Sequence, residues 1–244
     1  MLCQWPARHV GRTGADDAPV RIRHMKNTQT LTIVTVAVVA VILLAAIIIP
    51  RLGGNTAQAA TGDFDYDSQP VAGSPDAPVK VAVFFDFLCP HCAEFGETVT
   101  PILKREFVEP GTAAIYFYNF PVIDPVISRS IGMVGECTYQ QSNEAFVTLE
   151  PILLRSQSDL ASLGTNAAIT ARAVSLALEY GPNLDAAALN ACVSDSATGP
   201  AVDADAALAR SLQLGGTPSV LVNGALVSNP TLDNIRRAIQ SAAN

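Results

Sequence analysis

The chain has 244 residues and a formal net charge of −7, enough for one domain of ordinary size with a tail or anchor added. Its basic residues do not cluster beyond the N-terminal tail, which excludes a nucleic-acid-binding surface. Residues 1–30 form that tail, with Arg8, Arg12, Arg21, Arg23 and Lys26. Leu31 to Ile49 follows, apolar apart from Thr32 and Thr35 and free of charge. A run of this length, rising roughly 1.5 Å per residue, spans roughly 28 Å, about the hydrocarbon thickness of a bilayer. The plainer alternative, a buried core helix, fits the length and flanks less well. With only Arg51 close behind the run, the positive-inside rule predicts a single-pass anchor in the cell membrane, a cytoplasmic N-terminus and an extracytoplasmic remainder. Met25-Lys26 before the run also resembles the start of a signal peptide, and Ala57-Gln58-Ala59 a cleavage site. The long apolar run and the distance to that site favour an uncleaved anchor.

Residues 50–78 are rich in Gly, Ala, Ser, Asp and Pro and read as a linker or lead-in. Asp63, Asp65 and Asp67 alternate there, but without the Gly and distal Glu of an EF-hand they read as solvated linker. The folded domain is expected over 79–244. Val79 to Phe87 is too apolar to alternate and predicts a central strand. A helix follows over Ala93 to Val108, broken at Pro101, then a turn at Glu109-Pro110-Gly111 and a second strand over Ala113 to Phe120. From about 124 to 214 the patterns are helical only: Val126 to Gln141, Asn143 to Leu154, Asn166 to Tyr180, Asp185 to Val193 and Pro200 to Leu214. Strand character returns at Ser219 to Val222 and Ala225 to Val227 around Asn223-Gly224, a strong hairpin signal. A capped helix, Thr231 to Ala242, closes the chain. A strand–helix–strand unit and a hairpin that share one sheet, with a helical block between them, make an α/β fold.

Cys89-Pro90-His91-Cys92 sits between the first strand and its helix. At a helix N-terminus the unpaired amides and the dipole favour an anion. The thiolate is the species that exchanges with disulfides. Cys89 is therefore the expected exposed nucleophile, and Cys92, one turn on, the buried resolving thiol. Pro90 suits the first turn, where its missing N–H does no harm. His91 is expected to give the thiolate a hydrogen bond or a positive charge, which makes the disulfide a stronger oxidant. Structural zinc would need further ligands, and two of the three histidines, His9 and His24, precede the apolar run. A c-type haem site would need His where Ala93 stands. An inert structural disulfide is the remaining alternative.

Cys-Pro-His-Cys after an apolar strand resembles the active site of the DsbA family, thioredoxin-fold oxidases of bacterial envelopes. Gly216-Thr217-Pro218-Ser219 before a strand resembles the cis-proline loop that faces the dithiol in such proteins. The similarity runs from roughly Pro70 to Ala242. It implies a thioredoxin-like fold with an inserted all-helical subdomain, here preceded by one transmembrane helix. It implies that Thr217 and Pro218 bind the substrate chain beside Cys89. It implies reduced or unfolded secreted proteins as substrates, a quinone-linked membrane re-oxidase of the DsbB or VKOR kind as partner, and no cofactor or metal in the domain. Where the family carries a buried acid six residues before the first cysteine, this chain has Val83. Asp86, three before it, is either a proton relay for Cys92 or a strand-end carboxylate. Cys137 and Cys192 are expected to form a structural disulfide in an oxidising compartment, as the resemblance implies from some relatives that have one. Closing that loop of about 56 residues would stabilise by roughly 4 kcal/mol, and two buried free thiols are the alternative. A reductase or isomerase on the same fold, or a non-catalytic tethered binding module, are the rival functions.

Overall fold

The computed structural model describes residues 37–39, 58–59, 64–195 and 198–244. Residues 37–39 are helical, with Val38 and Val39 exposed. The rest of the expected span over 31–49 lies outside the described residues, as do Cys3, His9, His24 and Asp63. Among the described residues no helix is long and apolar enough to cross a membrane.

The domain is built on a mixed sheet. Its strands are β1 (Gln58–Ala59), β2 (Val71–Ala72), β3 (Val79–Phe85), β4 (Ala113–Asn119), β5 (Ser219–Val222) and β6 (Ala225–Leu226). They lie in the order β1-β6-β5-β3-β4-β2. Among the described residues only β3 and β4 run parallel, and the connection between them carries the dithiol helix. β3 is covered on both faces, which explains why its sequence does not alternate. Val79, Val81, Val83 and Phe85 face one core with Phe117, Phe146 and Leu153. Ala82 and Phe84 face the other with Tyr116, Tyr118, Ala206 and Leu221. The hairpin turns on Asn223 and Gly224, both at positive φ (47° and 78°), as a two-residue type I′ turn requires.

The dithiol helix α1 (Pro90–Thr98) gives way at Val99 to α2 (Thr100–Leu103), with Pro101 in its first turn, and then to a π-helical turn over Lys104–Val108. Among the described residues six helices fill the insertion: α3 (Pro125–Gln141), α4 (Asn143–Arg155), α5 (Gln157–Ser162), α6 (Asn166–Tyr180), α7 (Ala186–Ser194) and α8 (Gly199–Ser211). Asp124, Ser142, Thr165 and Asp185 cap α3, α4, α6 and α7 with their side chains. The closing helix is α9 (Leu232–Ala242), capped by Thr231.

Two boundaries differ from expectation. The strand predicted to reach Phe87 ends at Phe85, because Asp86 turns the chain toward the dithiol. The segment over 50–78, read as a linker, contributes two short strands to the sheet. β1 pairs with β6, and β2 pairs with β4. Tyr66 stacks on Phe64 and packs against Tyr116, and Lys80 Nζ lies 5.4 Å from the Tyr66 ring centroid. Gly- and Asp-rich composition concealed this because the lead-in joins the sheet through two-residue strands and single aromatic anchors.

The insertion is tied to the sheet by Asp205 of α8. Buried, it accepts from Asn119 N–H (2.8 Å), Asn119 Nδ2 (3.3 Å) and Gln69 Nε2 (2.8 Å). Burial pushes its carboxyl up to about 7, against the pull of those donors. Within the insertion, Cys137 of α3 and Cys192 of α7 form a disulfide with a Cα–Cα distance of 5.8 Å. It closes a loop across a sequence separation of 55. Replacing both cysteines by serine is expected to lower the unfolding free energy by about 4 kcal/mol. Urea unfolding of the double variant measures this, and its disulfide-transfer rate at 25 °C should stay near wild type.

Candidate active site

Cys89 is the N-cap residue of α1, with extended backbone (φ −78°, ψ 118°) and no side-chain cap of its own. Its carbonyl accepts the first helical bonds, from Cys92 N–H at 3.0 Å and Ala93 N–H at 3.1 Å. The sulfur is thereby left at the positive end of the helix. Both cysteines are present as thiols. Cys89 is more enclosed than its sequence position suggested, at 3% exposed against 2% for Cys92. The cover comes from the Thr217–Pro218 loop, 128 positions away in sequence, whose peptide bond is cis. As a thiol, Cys89 Sγ donates to the Thr217 carbonyl at 3.3 Å.

Ionisation exchanges that one bond for several. Cys89 is drawn down from 9.0 to about 5, first by a hydrogen bond from the Cys92 thiol, then by the Thr217 hydroxyl and the backbone amides of Cys92 and His91, with burial opposing. Thr217 Oγ1 is buried and has no partner while the sulfur is protonated, so the thiolate supplies the acceptor it otherwise lacks. Cys92 moves the other way. Serving as donor to Cys89 holds its proton in place, and burial adds to this. One thiol is made acidic and its neighbour is kept protonated.

Two expected contributions take a different form. The His91 imidazole does not reach back to the sulfur. Its side chain is 80% exposed, with Nδ1 3.8 Å from Glu94 Oε2, and the residue serves the thiolate through its backbone N–H. Asp86 is not poised as a free proton carrier. At 2% exposure it accepts from Leu88 N–H (2.8 Å) at one oxygen and from Val122 N–H (2.8 Å) and Ile123 N–H (2.9 Å) at the other. It clasps the approach to the dithiol against the loop after β4, and only its backbone amide serves Cys92. Pro90 occupies the first turn of α1. Cys137 and Cys192 lie in the insertion, bonded to each other and separate from the dithiol.

Residues 65–241 match the family model described as Thioredoxin. The probable disulfide bond formation protein D of Bacillus cereus is 30% identical over 217 residues, covering 88% of this chain and 97% of that protein. The probable disulfide bond formation protein D of Bacillus anthracis is 34% identical over 178 residues, covering 72% and 79%. The chain belongs to the thioredoxin family. In fold it is similar to the crystal structure of oxidised BdbD from Bacillus subtilis, with a TM-score of 0.66 and 23% identity over 76% of this chain and 98% of that one. Like these disulfide bond formation relatives it is a dithiol:disulfide oxidoreductase, and Cys89, Cys92 and the Thr217–Pro218 loop form one continuous site.

Among the described residues no group of three or more His, Cys, Asp or Glu is arranged to hold a metal ion. One site residue escaped sequence reasoning. Gln157, at the start of α5, donates to Phe87 O at 2.9 Å and Cys89 O at 2.8 Å. Its helix has only six residues and lies in a stretch where no periodicity was apparent.

Proposed function

We propose that this enzyme donates disulfide bonds to reduced secreted or envelope proteins on the outer side of a membrane, tethered there by residues 31–49. The observation that carries this reading is the convergence of donors on Cys89 Sγ at the N-terminus of α1, with Cys92 kept protonated beside it. A protein that stabilises its reduced dithiol holds its disulfide weakly and gives it up readily.

The exchange follows. A substrate thiolate attacks Cys89 of the oxidised pair, the Cys89–Cys92 bond breaks, and Cys92 leaves and takes up a proton. A second substrate thiolate then attacks the substrate sulfur of the mixed disulfide, and Cys89 departs as the thiolate that the surrounding donors favour. Two electrons pass from substrate to enzyme, one proton stays on Cys92 and the other goes to solvent. An acidic leaving thiol speeds this second step. The Thr217–Pro218 loop beside Cys89 offers backbone to an extended substrate chain, in the manner of strand addition.

The charge-free apolar run, the basic tail before it and the Cys137–Cys192 bond all support an anchored domain in an oxidising compartment. A quinone-linked membrane re-oxidase of the DsbB or VKOR kind would restore the disulfide. Incubating the oxidised protein with reduced, unfolded ribonuclease is expected to return ribonuclease activity, stoichiometrically without a re-oxidant and catalytically with one. A reduction potential near the thioredoxin value of about −270 mV, with no ribonuclease oxidation, would assign the fold to a reductase instead.

A further inference from the structure

The four residues from Asp86 to Cys89 leave the sheet before the helix begins, so their backbone groups have no ladder to join. The structure pairs them with side chains and local turns. Leu88 N–H goes to Asp86 Oδ1 and Cys89 N–H to Asp86 O. The carbonyls of Phe87 and Cys89 share one donor atom from the insertion, Gln157 Nε2, in addition to the two helical amides that reach Cys89 O. A primary amide has two N–H groups on one nitrogen. Both are used here, one on each carbonyl, which bridges positions i and i+2 of the strand-to-helix passage.

Gln157 is itself firmly placed. Ser156 before it ends α4, with its N–H donating to Ile152 O and its Oγ to the same carbonyl, and its own carbonyl accepts from Leu160 N–H in α5. Leu153, Leu154 and Leu160 on either side are buried. The amide therefore reports the position of the helical insertion to the dithiol loop.

We propose that Gln157 is a positioning residue for disulfide exchange: by bridging Phe87 O and Cys89 O, the insertion fixes the main-chain course at the nucleophile. The proposal rests on the oxidoreductase reading of the same site. Its physical content is directional. With Cys89 O held between Gln157 and the first helical amides, the N–H groups of His91 and Cys92 stay turned toward Sγ. Without the bridge, Phe87 O loses the partner the structure gives it inside a nearly closed region, and the passage relaxes to find water. The amide also places two positive hydrogens beside the peptide unit that carries the thiolate.

Three substitutions separate this from a purely structural role. Gln157→Met keeps the length and removes the donors. Gln157→Glu replaces them with a negative charge against two carbonyls. Gln157→Lys restores a multiple donor on a similar stem and adds a positive charge. The reduced proteins are titrated by ultraviolet thiolate absorbance, with the oxidised form of each as baseline. The Cys89 midpoint is expected to rise by about one pH unit in Gln157→Met, to rise further in Gln157→Glu, and to return to wild type or below in Gln157→Lys. If the three titrate with wild type while only their melting temperatures move, Gln157 is structural and the proposal is wrong. Were wild type to titrate low and the order to hold, yet reduced ribonuclease stay unoxidised, the functional reading would fail and the positioning role would stand.

Discussion

Cys92→Ala is expected to move the Cys89 titration upward by about one to two pH units, while Cys92→Ser leaves it close to wild type. The reasoning is local. The largest single influence holding Cys89 down near about 5 is the hydrogen bond from the Cys92 thiol, ahead of the Thr217 hydroxyl and the two backbone amides. A hydrogen bond to a charged acceptor contributes roughly 1.5–3 kcal/mol, and each pH unit corresponds to about 1.4 kcal/mol. Alanine removes the donor and serine keeps one. Neither variant can form the Cys89–Cys92 bond, so both lose disulfide donation altogether. Both retain Cys89, however, whose thiolate attacks a disulfide already present in a substrate protein, releasing one substrate thiolate and leaving a mixed disulfide. Both are expected to accumulate it, because Cys92, which displaces the bound substrate in that direction, is gone. Cys89→Ser should form none. The comparison needs only thiolate absorbance and a non-reducing gel. Equal titrations for the alanine and serine variants would refute the assigned role of Cys92 as donor.

The second large effect couples redox state to pH. Only the reduced protein carries the Cys89 thiolate. Its folded value of about 5 lies below the 9.0 of an ordinary thiol. A group depressed on folding adds stability that is fully present above the unfolded value and is lost as pH falls through the folded one. The reduced form should therefore gain stability relative to the oxidised form between pH 5 and pH 9, by roughly 3 kcal/mol at pH 7 and roughly 5 kcal/mol at the upper end. The four-residue loop closed by the catalytic disulfide adds an offset that does not vary with pH. Urea unfolding of both redox forms across this range measures the difference. Parallel stability curves for the two forms would remove the thiolate argument, and with it the basis for a readily donated disulfide.

Much of this molecule was readable from residues whose signals are local. The apolar run from Val79, the Asn223-Gly224 turn and the serine, threonine and aspartate caps each impose one backbone outcome on a few neighbours. The dithiol and the Thr217–Pro218 loop were each legible as a motif, and their meeting across 128 residues followed from the resemblance. What stayed hidden is non-local and polar. Gln157 and Asp205 act through single side chains that satisfy backbone groups on distant elements, and nothing in their neighbourhood marks them. The direction of the His91 imidazole was likewise unreadable, because helix geometry at the second residue points the ring outward whatever chemistry its backbone performs. Asp86 was legible as a carboxylate near the dithiol. Its three amide partners come from loops whose course only the fold defines.

The placement of the helical insertion between the two halves of the site also sets a timetable. Synthesis delivers Cys89 first and Thr217 only after 128 further residues, a delay of about ten seconds at ordinary elongation rates. Throughout that interval the nascent chain carries a Cys89 that lacks the carbonyl and hydroxyl contributed by its later-made neighbour. The two halves of the site are thus assembled only after Cys137 and Cys192, which lie between them in sequence, have both been made.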